Sequence, residues 1–258
     1  MKVNAGMIVT DLDKTLLDNE GRISDYSKRI LEKCLLNGIH IVFATARPVR
    51  ATTIFYPAIK PSSIICHNGA VIMENEKTIY HCGIDPEMCG NLIKTIGDRF
   101  PVANLAAEVN DRIYANFNPA VYWGKIDYDD LNKRPTETAE KIITGINNND
   151  EFDTVKKLIP GELYLEKNQG SLGGDIGLIM NRGATKWNAA KYLAAYYNIE
   201  TRNVTAFGDN ENDLEMVKYS GWGVAVENGI DEIKKTARYV CDSNINDGVA
   251  KWIEKYIL

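Results

Sequence analysis

The sequence is poor in the residues that build disulfide frameworks and soft metal centres, with three histidines and five cysteines in 258 residues. The cysteines, at 34, 66, 82, 89 and 241, are odd in number and include no CxxC pair, and His40, His67 and His81 show no ligand spacing with them. A disulfide scaffold and a zinc site therefore find no support, and these residues are expected in structural roles. No dense Lys/Arg run occurs and the net charge is −5, which argues against nucleic acid as a partner. The KK pairs at 156–157 and 234–235 read as solvated helix faces. The longest apolar runs, such as IHIVFATA, fall far short of a membrane span, and MKVNAGMIVTDL has no signal-peptide pattern, so a cytoplasmic, membrane-free protein is expected. At 45% hydrophobic and 25% charged residues, the chain can bury an ordinary globular core.

Strand and helix alternate through the first third. Strand 7–10 precedes a helix near 25–37, in which Ile30, Leu31, Cys34 and Leu35 recur at helical spacing and Gly38 supplies the stop. Strand IHIVFA, a helix after Pro48 and strand SSIIC follow, and 71–82 reads as a hairpin around ENEK. A β-α-β-α-β order implies a doubly wound parallel sheet with helices on both faces, whose ligands sit beyond the carboxyl ends of the strands. From about 83 to 184 the alternation lapses into a helix near 85–99, strands RIYANF, ELYLEK and DIGLIMN, and a polar loop GINNNDEF, as in an α+β unit. It then resumes with helix TKWNAAKYLAAYY, strand NVTAF, a helix at 211–218, strand GVAV and a terminal helix. One α/β domain is interrupted by a second.

The run MIVTDLDKTLL places Asp11 and Asp13 on one side of a strand end. Two such anions repel by roughly 1 to 4 kcal/mol at effective dielectrics between water and a protein surface, so a cation is expected nearby. A second acidic cluster, FGDNENDLEM, supplies Asp209, Glu211, Asn212, Asp213 and Glu215 after another strand. Taken alone it makes a good helix cap. With both clusters at the ends of parallel strands in one sheet, hard oxygen ligands converge in a way that suits Mg²⁺ with a substrate phosphate completing its shell. Asp11, Thr45 and Asn68 follow three successive strands and should meet in space. Lys186 opens a helix, where a lysine is unfavourable unless an anion sits there; Thr45 can donate to a phosphoryl oxygen.

The segments DLDKT, FATAR, ATK and GDNEND, in that order, resemble the four motifs of the haloacid dehalogenase superfamily. CHNGAV, the tail VAVENGIDEIKKTARYV and NINDGVA are similar to its Cof-type branch with a type IIB cap. The resemblance implies a Rossmann-like core in 1–82 and 185–258 and an inserted α+β cap in 83–184. It implies Asp11 as nucleophile, Asp13 as acid and base, and Thr45 and Lys186 as phosphoryl ligands. Asp11, Asp209 and the carbonyl of Asp13 would bind Mg²⁺, with Asp213 and Asn212 behind them or on the phosphate. Arg47, Asn68 and Gly69 would face the substrate under the cap. Cap residues such as Tyr122, Trp123, Tyr164 and Asn168 could reach a sugar.

The implied activity is that of a Mg²⁺-dependent phosphoric monoester hydrolase for small phosphorylated metabolites, sugar phosphates foremost. A phosphosugar mutase of the same branch, and a non-catalytic phosphate-binding or signalling module, are the alternatives. An acid at position 13 favours phosphoryl transfer over dehalogenation. Lys14 departs from the motif, where Gly is commonest; it is accommodated if its side chain leaves the pocket, and it alters the local charge. Glu227 and Asn228 stand where the branch more often has a small turn, which leaves their substrate contact open.

Overall fold

The structure, a computed structural model, describes residues 2–170 and 172–258. They divide into two compact units, one running up to Tyr80 and resuming over Thr185–Leu258, the other His81–Ala184.

The first unit begins with β1 (Met7–Asp11), α1 (Asp25–Leu36), β2 (His40–Ala44) and β3 (Ser63–Cys66). All five residues of β1 are buried, as expected of a strand covered on both faces. The hairpin of β4 (Val71–Glu74) and β5 (Lys77–His81) turns at Asn75 and Glu76, both at positive φ, 47° and 64°. That pair of left-handed residues matches the twist of the flanking strands. The helix expected after Pro48 is absent; two single 3₁₀ turns, Val49–Ala51 and Thr53–Phe55, stand there instead. The β-branched Val49, Thr52, Thr53 and Ile54 are poor helix formers, and Pro57 closes the segment.

The second unit contains α2 (Pro86–Arg99), β6 (Leu105–Val109), β7 (Arg112–Ala115), α3 (Ala120–Trp123) and β8 (Asp129–Asp130). It continues with β9 (Lys141–Ile146), α4 (Asn149–Leu158), β10 (Leu163–Gln169) and β11 (Asp175–Asn181). Its six strands run in the order β10-β11-β9-β6-β7-β8, antiparallel except for β7 with β8. Leu105, Ala107 and Val109 of β6 face Leu92 and Ile96 of α2 and Val155 of α4, whereas Ala106 faces the opposite cluster with Tyr122 and Trp123. GINNNDEF is not a loop. Gly145 and Ile146 end β9, and the Asn148 side chain accepts from the Glu151 amide at 2.9 Å to cap α4.

The first unit resumes with α5 (Lys186–Tyr196), β12 (Val204–Gly208), α6 (Leu214–Tyr219), β13 (Trp222–Val226), α7 (Asp231–Thr236), β14 (Tyr239–Cys241) and α8 (Gly248–Tyr256). The helix expected over 211–218 begins as a 3₁₀ turn, Glu211–Asp213, before α6. The eight strands run β14-β13-β12-β1-β2-β3-β4-β5, parallel from β14 to β3, with β4 antiparallel to β3. Trp187 and Leu193 of α5 and Met216 of α6 pack on Val9, Val42 and Ala206 on one face of this sheet. On the other, the Phe207 ring meets Trp252 of α8 edge-on with centroids 5.4 Å apart. The chain winds outward from β1 through β2 and β3, and from β12 through β13 and β14 in the opposite direction. The switch point of this doubly wound α/β sheet therefore lies between β1 and β12, where such folds bind ligands. No helix among the described residues is long and apolar enough to cross a membrane.

Candidate active site

Thr10 of β1 pairs with Phe207 of β12, so the two acidic segments leave the sheet side by side. Asp11, Asp209 and Asp213 are all buried, and each offers a carboxylate oxygen within 4.8 Å of the others. Lys186 is brought to them because the Thr185 hydroxyl accepts from the Asn188 amide at 3.1 Å, capping α5 one residue before the lysine. Only 1% exposed, Lys186 donates through Nζ to Asp11 Oδ1 at 2.6 Å and Asp213 Oδ1 at 2.7 Å. An ammonium at a helix N-terminus is thus offset by two carboxylates.

The four groups differ in what remains open. Asp213 is fully used: Oδ1 by Lys186, and Oδ2 by the backbone amides of Asp209 at 3.0 Å and Asn210 at 3.2 Å. That grip requires Gly208, since a Cβ there would stand 2.4 Å from the Asp213 Cβ. Asp209 Oδ1 accepts from the Thr15 hydroxyl at 2.9 Å. Asp11 Oδ2 and Asp209 Oδ2 have no hydrogen-bond partner among the described residues.

Burial, then the neighbouring Asp213 and Asp209, push the Asp11 carboxyl up to about 8 against the pull of Lys186. Burial and Asp213 likewise raise Asp209, while Thr15, Lys186 and Lys14 act in the other direction. Burial works against the charge of Lys186, but Asp11 and Asp213 outweigh it and hold the ammonium above the usual lysine range. Three buried carboxylates thus share one buried ammonium. This deficit of positive charge, with two open oxygens on neighbouring strand ends, fits a divalent metal ion with oxygen ligands.

The remaining expected residues line or adjoin a cavity of about 220 Å³ over these groups, bounded by Asp11, Asp13, Lys14, Thr45, Ala46, Asp209, Asn210 and Asn212. The Thr45 hydroxyl accepts from the Arg47 amide at 3.1 Å, which leaves its own proton available to an oxygen in the cavity. Arg47 does not point to open solvent. Its guanidinium forks onto Asp13, with Nε 2.8 Å from Oδ2 and Nη2 on Oδ1, and lies over the Phe55 ring. Asn212 Nδ2 donates to Asn68 Oδ1 at 2.9 Å, joining two expected residues from distant parts of the chain.

Gly69 has a role that the sequence did not suggest. At φ 111°, its position would put a Cβ 2.2 Å from the Thr185 carbonyl oxygen, so the loop approaches the cap of α5 as only glycine can. Gly69→Ala is expected to cost about 3 kcal/mol and to displace Lys186. Thermal unfolding alongside an activity assay checks this: both should fall together, and a variant of native stability would remove the constraint.

Two further residues, Thr15 and Asn244, escaped sequence reasoning, and Asn228 has a bracing role in the structure. Thr15 holds Asp209, and its place two positions after Asp13 was the available signal. Asn228 Nδ2 donates to the Lys14 carbonyl at 2.7 Å, and Asn244 Nδ2 to the Leu17 carbonyl at 2.8 Å, bracing the loop after β1. Lys14 itself lies at φ 63° and is among the residues that line the cavity. In the second unit, Tyr122 and Trp123 pack edge to face at 5.6 Å, and Asn168 donates to Glu166 at 2.8 Å.

A family model for haloacid dehalogenase-like hydrolases matches residues 8–253. A 5-amino-6-(5-phospho-D-ribitylamino)uracil phosphatase of Bacillus subtilis is 24% identical over 99% of both chains. A phosphoglycolate phosphatase of Methanobrevibacter smithii is 28% identical over 99% of this chain and 100% of its own. Among solved structures, a Thermotoga maritima protein superposes with a TM-score of 0.84 at 25% identity, covering 98% of each chain. A haloacid dehalogenase-like hydrolase of Bacteroides thetaiotaomicron, at 22% identity and a TM-score of 0.81 over 97% of this chain and 99% of its own, shares the fold. The chain therefore belongs to the haloacid dehalogenase-like hydrolases, as one of their Cof-type phosphatases.

Proposed function

We propose that the protein is a cytoplasmic, Mg²⁺-dependent phosphatase of small phosphorylated metabolites, sugar and polyol phosphates foremost, working through an aspartyl-phosphate on Asp11. The observation that carries this reading is the pair of open oxygens, Asp11 Oδ2 and Asp209 Oδ2, at neighbouring strand ends beside the buried Lys186 ammonium. The named relatives support the substrate class by analogy, since both act on small phosphate esters. A cavity of about 220 Å³ also suits a phosphoryl group with a short remainder.

Asp11 and Asp209, with the Asp13 carbonyl, would hold Mg²⁺, which when bound supplies positive charge against the repulsion between carboxylate and phosphate. One carboxylate oxygen of Asp11 attacks phosphorus, forming the aspartyl-phosphate P–O bond as the ester P–O bond to the leaving oxygen breaks. Asp13 delivers a proton to the leaving oxygen, then takes one from the water that cleaves the aspartyl-phosphate and restores Asp11. Thr45 donates a hydrogen bond through its hydroxyl to one phosphoryl oxygen, and Lys186 supplies fixed positive charge beside Asp11. Arg47 holds the Asp13 carboxyl in a fixed orientation through its two-pronged contact. Positioning and charge do the remaining work.

Phosphate release from a panel of sugar phosphates, nucleotides and p-nitrophenyl phosphate, with Mg²⁺ and with excess EDTA, tests the proposal. Release from small phosphate esters that EDTA abolishes and Mg²⁺ restores is expected. Release that persists undiminished in EDTA would remove the metal from the reading, and no release from any ester would remove the phosphatase.

A further inference from the structure

We propose that Lys14 selects substrates that carry a second anionic group, a carboxylate or another phosphate, on the part of the molecule that is not transferred. The inference rests on the phosphatase reading, because it assumes that the transferred phosphoryl group sits over Asp11.

The cations around the cavity are not equally available. Lys186 is committed to Asp11 and Asp213, and Arg47 to Asp13. The Lys14 ammonium makes no hydrogen bond or ion pair among the described residues, although its charge favours the ionised form of Asp209. It is therefore the lining cation that no hydrogen bond or ion pair holds among the described residues.

Depth then separates its role from that of the floor. Asp11, Thr45 and Asp209 are buried, whereas Lys14, Asp13, Asn210 and Asn212 are exposed at the rim. A phosphate ester seated with phosphorus over Asp11 brings its other end to that rim. There Asp13 is already neutralised by Arg47, and the two asparagines carry no charge. Among the cations lining the cavity, an anionic remainder would meet Lys14.

The backbone supports a retained function. Lys14 is a non-glycine residue in the left-handed region, at φ 63°, a conformation that costs free energy and persists where the surroundings impose it. Those surroundings are visible: Asn228 holds the Lys14 carbonyl at 2.7 Å, and Asn228 Oδ1 in turn accepts from the Asn244 amide at 2.9 Å. The side chain therefore leaves a fixed point.

The test compares the wild-type protein with Lys14→Met and Lys14→Arg, which share the same backbone cost. Their kcat/KM values are measured on phosphoglycolate, a hexose bisphosphate and glycerol phosphate, the last having no anion besides the transferred group. Lys14→Met is expected to reduce the preference for phosphoglycolate or for the bisphosphate over glycerol phosphate about tenfold, the loss of one charge-assisted hydrogen bond of about 1.4 kcal/mol. Lys14→Arg should keep most of that preference. Whichever anionic substrate loses its advantage identifies the carboxylate or the second phosphate as the recognised group.

Equal losses on all three substrates would assign Lys14 to the transferred phosphoryl group and overturn the proposal, as would no loss at all. Calorimetric binding of phosphoglycolate and glycerol phosphate to Asp11→Asn, with and without Lys14→Met, reads the same ratio without turnover. If the wild-type protein hydrolyses none of the three, the phosphatase reading fails while this binding ratio still decides the role of Lys14.

Discussion

Asp11→Asn is expected to lower phosphate release by at least about 10,000-fold while leaving the protein as stable as before. The amide oxygen is not a nucleophile toward phosphorus, so the covalent step is lost. The fold should tolerate the change for an electrostatic reason. Asp11 shares its burial with Asp209 and Asp213, and both the burial and the like charges disfavour its ionised form. An isosteric neutral group removes that repulsion, and Lys186 keeps Asp213 as a partner at 2.7 Å. A melting temperature equal to or slightly above the original, with activity at background, is the expected pair of observations. Substantial residual turnover would take Asp11 out of the covalent step, and a collapsed melting temperature would show that its charge holds the fold together.

Lys186→Met should have the opposite balance, losing stability as well as activity. It strands Asp11 and Asp213 without their cation in a buried site and leaves Asp213 Oδ1 without its donor. Removing one partner of a buried pair costs about 3–5 kcal/mol, mostly the penalty of an uncompensated buried charge. For a chain of this size that corresponds to a melting temperature lower by roughly 10 °C. Combining Lys186→Met with Asp213→Asn should recover about 1–3 kcal/mol of the loss, because the two sites share one interaction. Additive losses in the double variant would mean that the ammonium does not pair with Asp213.

The two variants separate two jobs in one cluster. On the proposed reaction Asp11 would serve the chemistry at an electrostatic cost, and Lys186 would limit that cost while contributing charge. Asp213 belongs with Lys186, since every oxygen it has is occupied in holding the lysine and the 209–210 backbone.

The sequence showed the core sheet well because its strands are apolar, β-branched and buried on both faces, and because Asp11, Thr45 and Asp209 follow directly from strand ends. Local capping also explains what was misjudged. GINNNDEF looks like a loop by composition, yet Asn148 and Glu151 form a helix start that the Asn-rich context conceals. The strand LAAEV at 105–109 was overlooked because its alanines carry little strand preference; its pairing with β7 and β9 supplies what the sequence does not. The segment after Pro48 stands between two strands where the alternation calls for a helix, but its residues lack helical propensity.

The site divides in the same way. Groups fixed by a strand end or a helix cap were readable, as with Asp11 and Lys186. Long-range side-chain pairs were not, because nothing local in Arg47 specifies Asp13 as its partner, and nothing in Gly69 announces the carbonyl of Thr185 beside it.

The chemistry assigned to Asp11 is best examined by quenching turnover of a radiolabelled phosphate ester with acid and mapping the label on the digested protein. Label is expected on the peptide that contains Asp11, absent from Asp11→Asn, and chased off by unlabelled substrate. Normal phosphate release without label on that peptide would mean that water attacks phosphorus directly, and Asp11 would then serve only the metal.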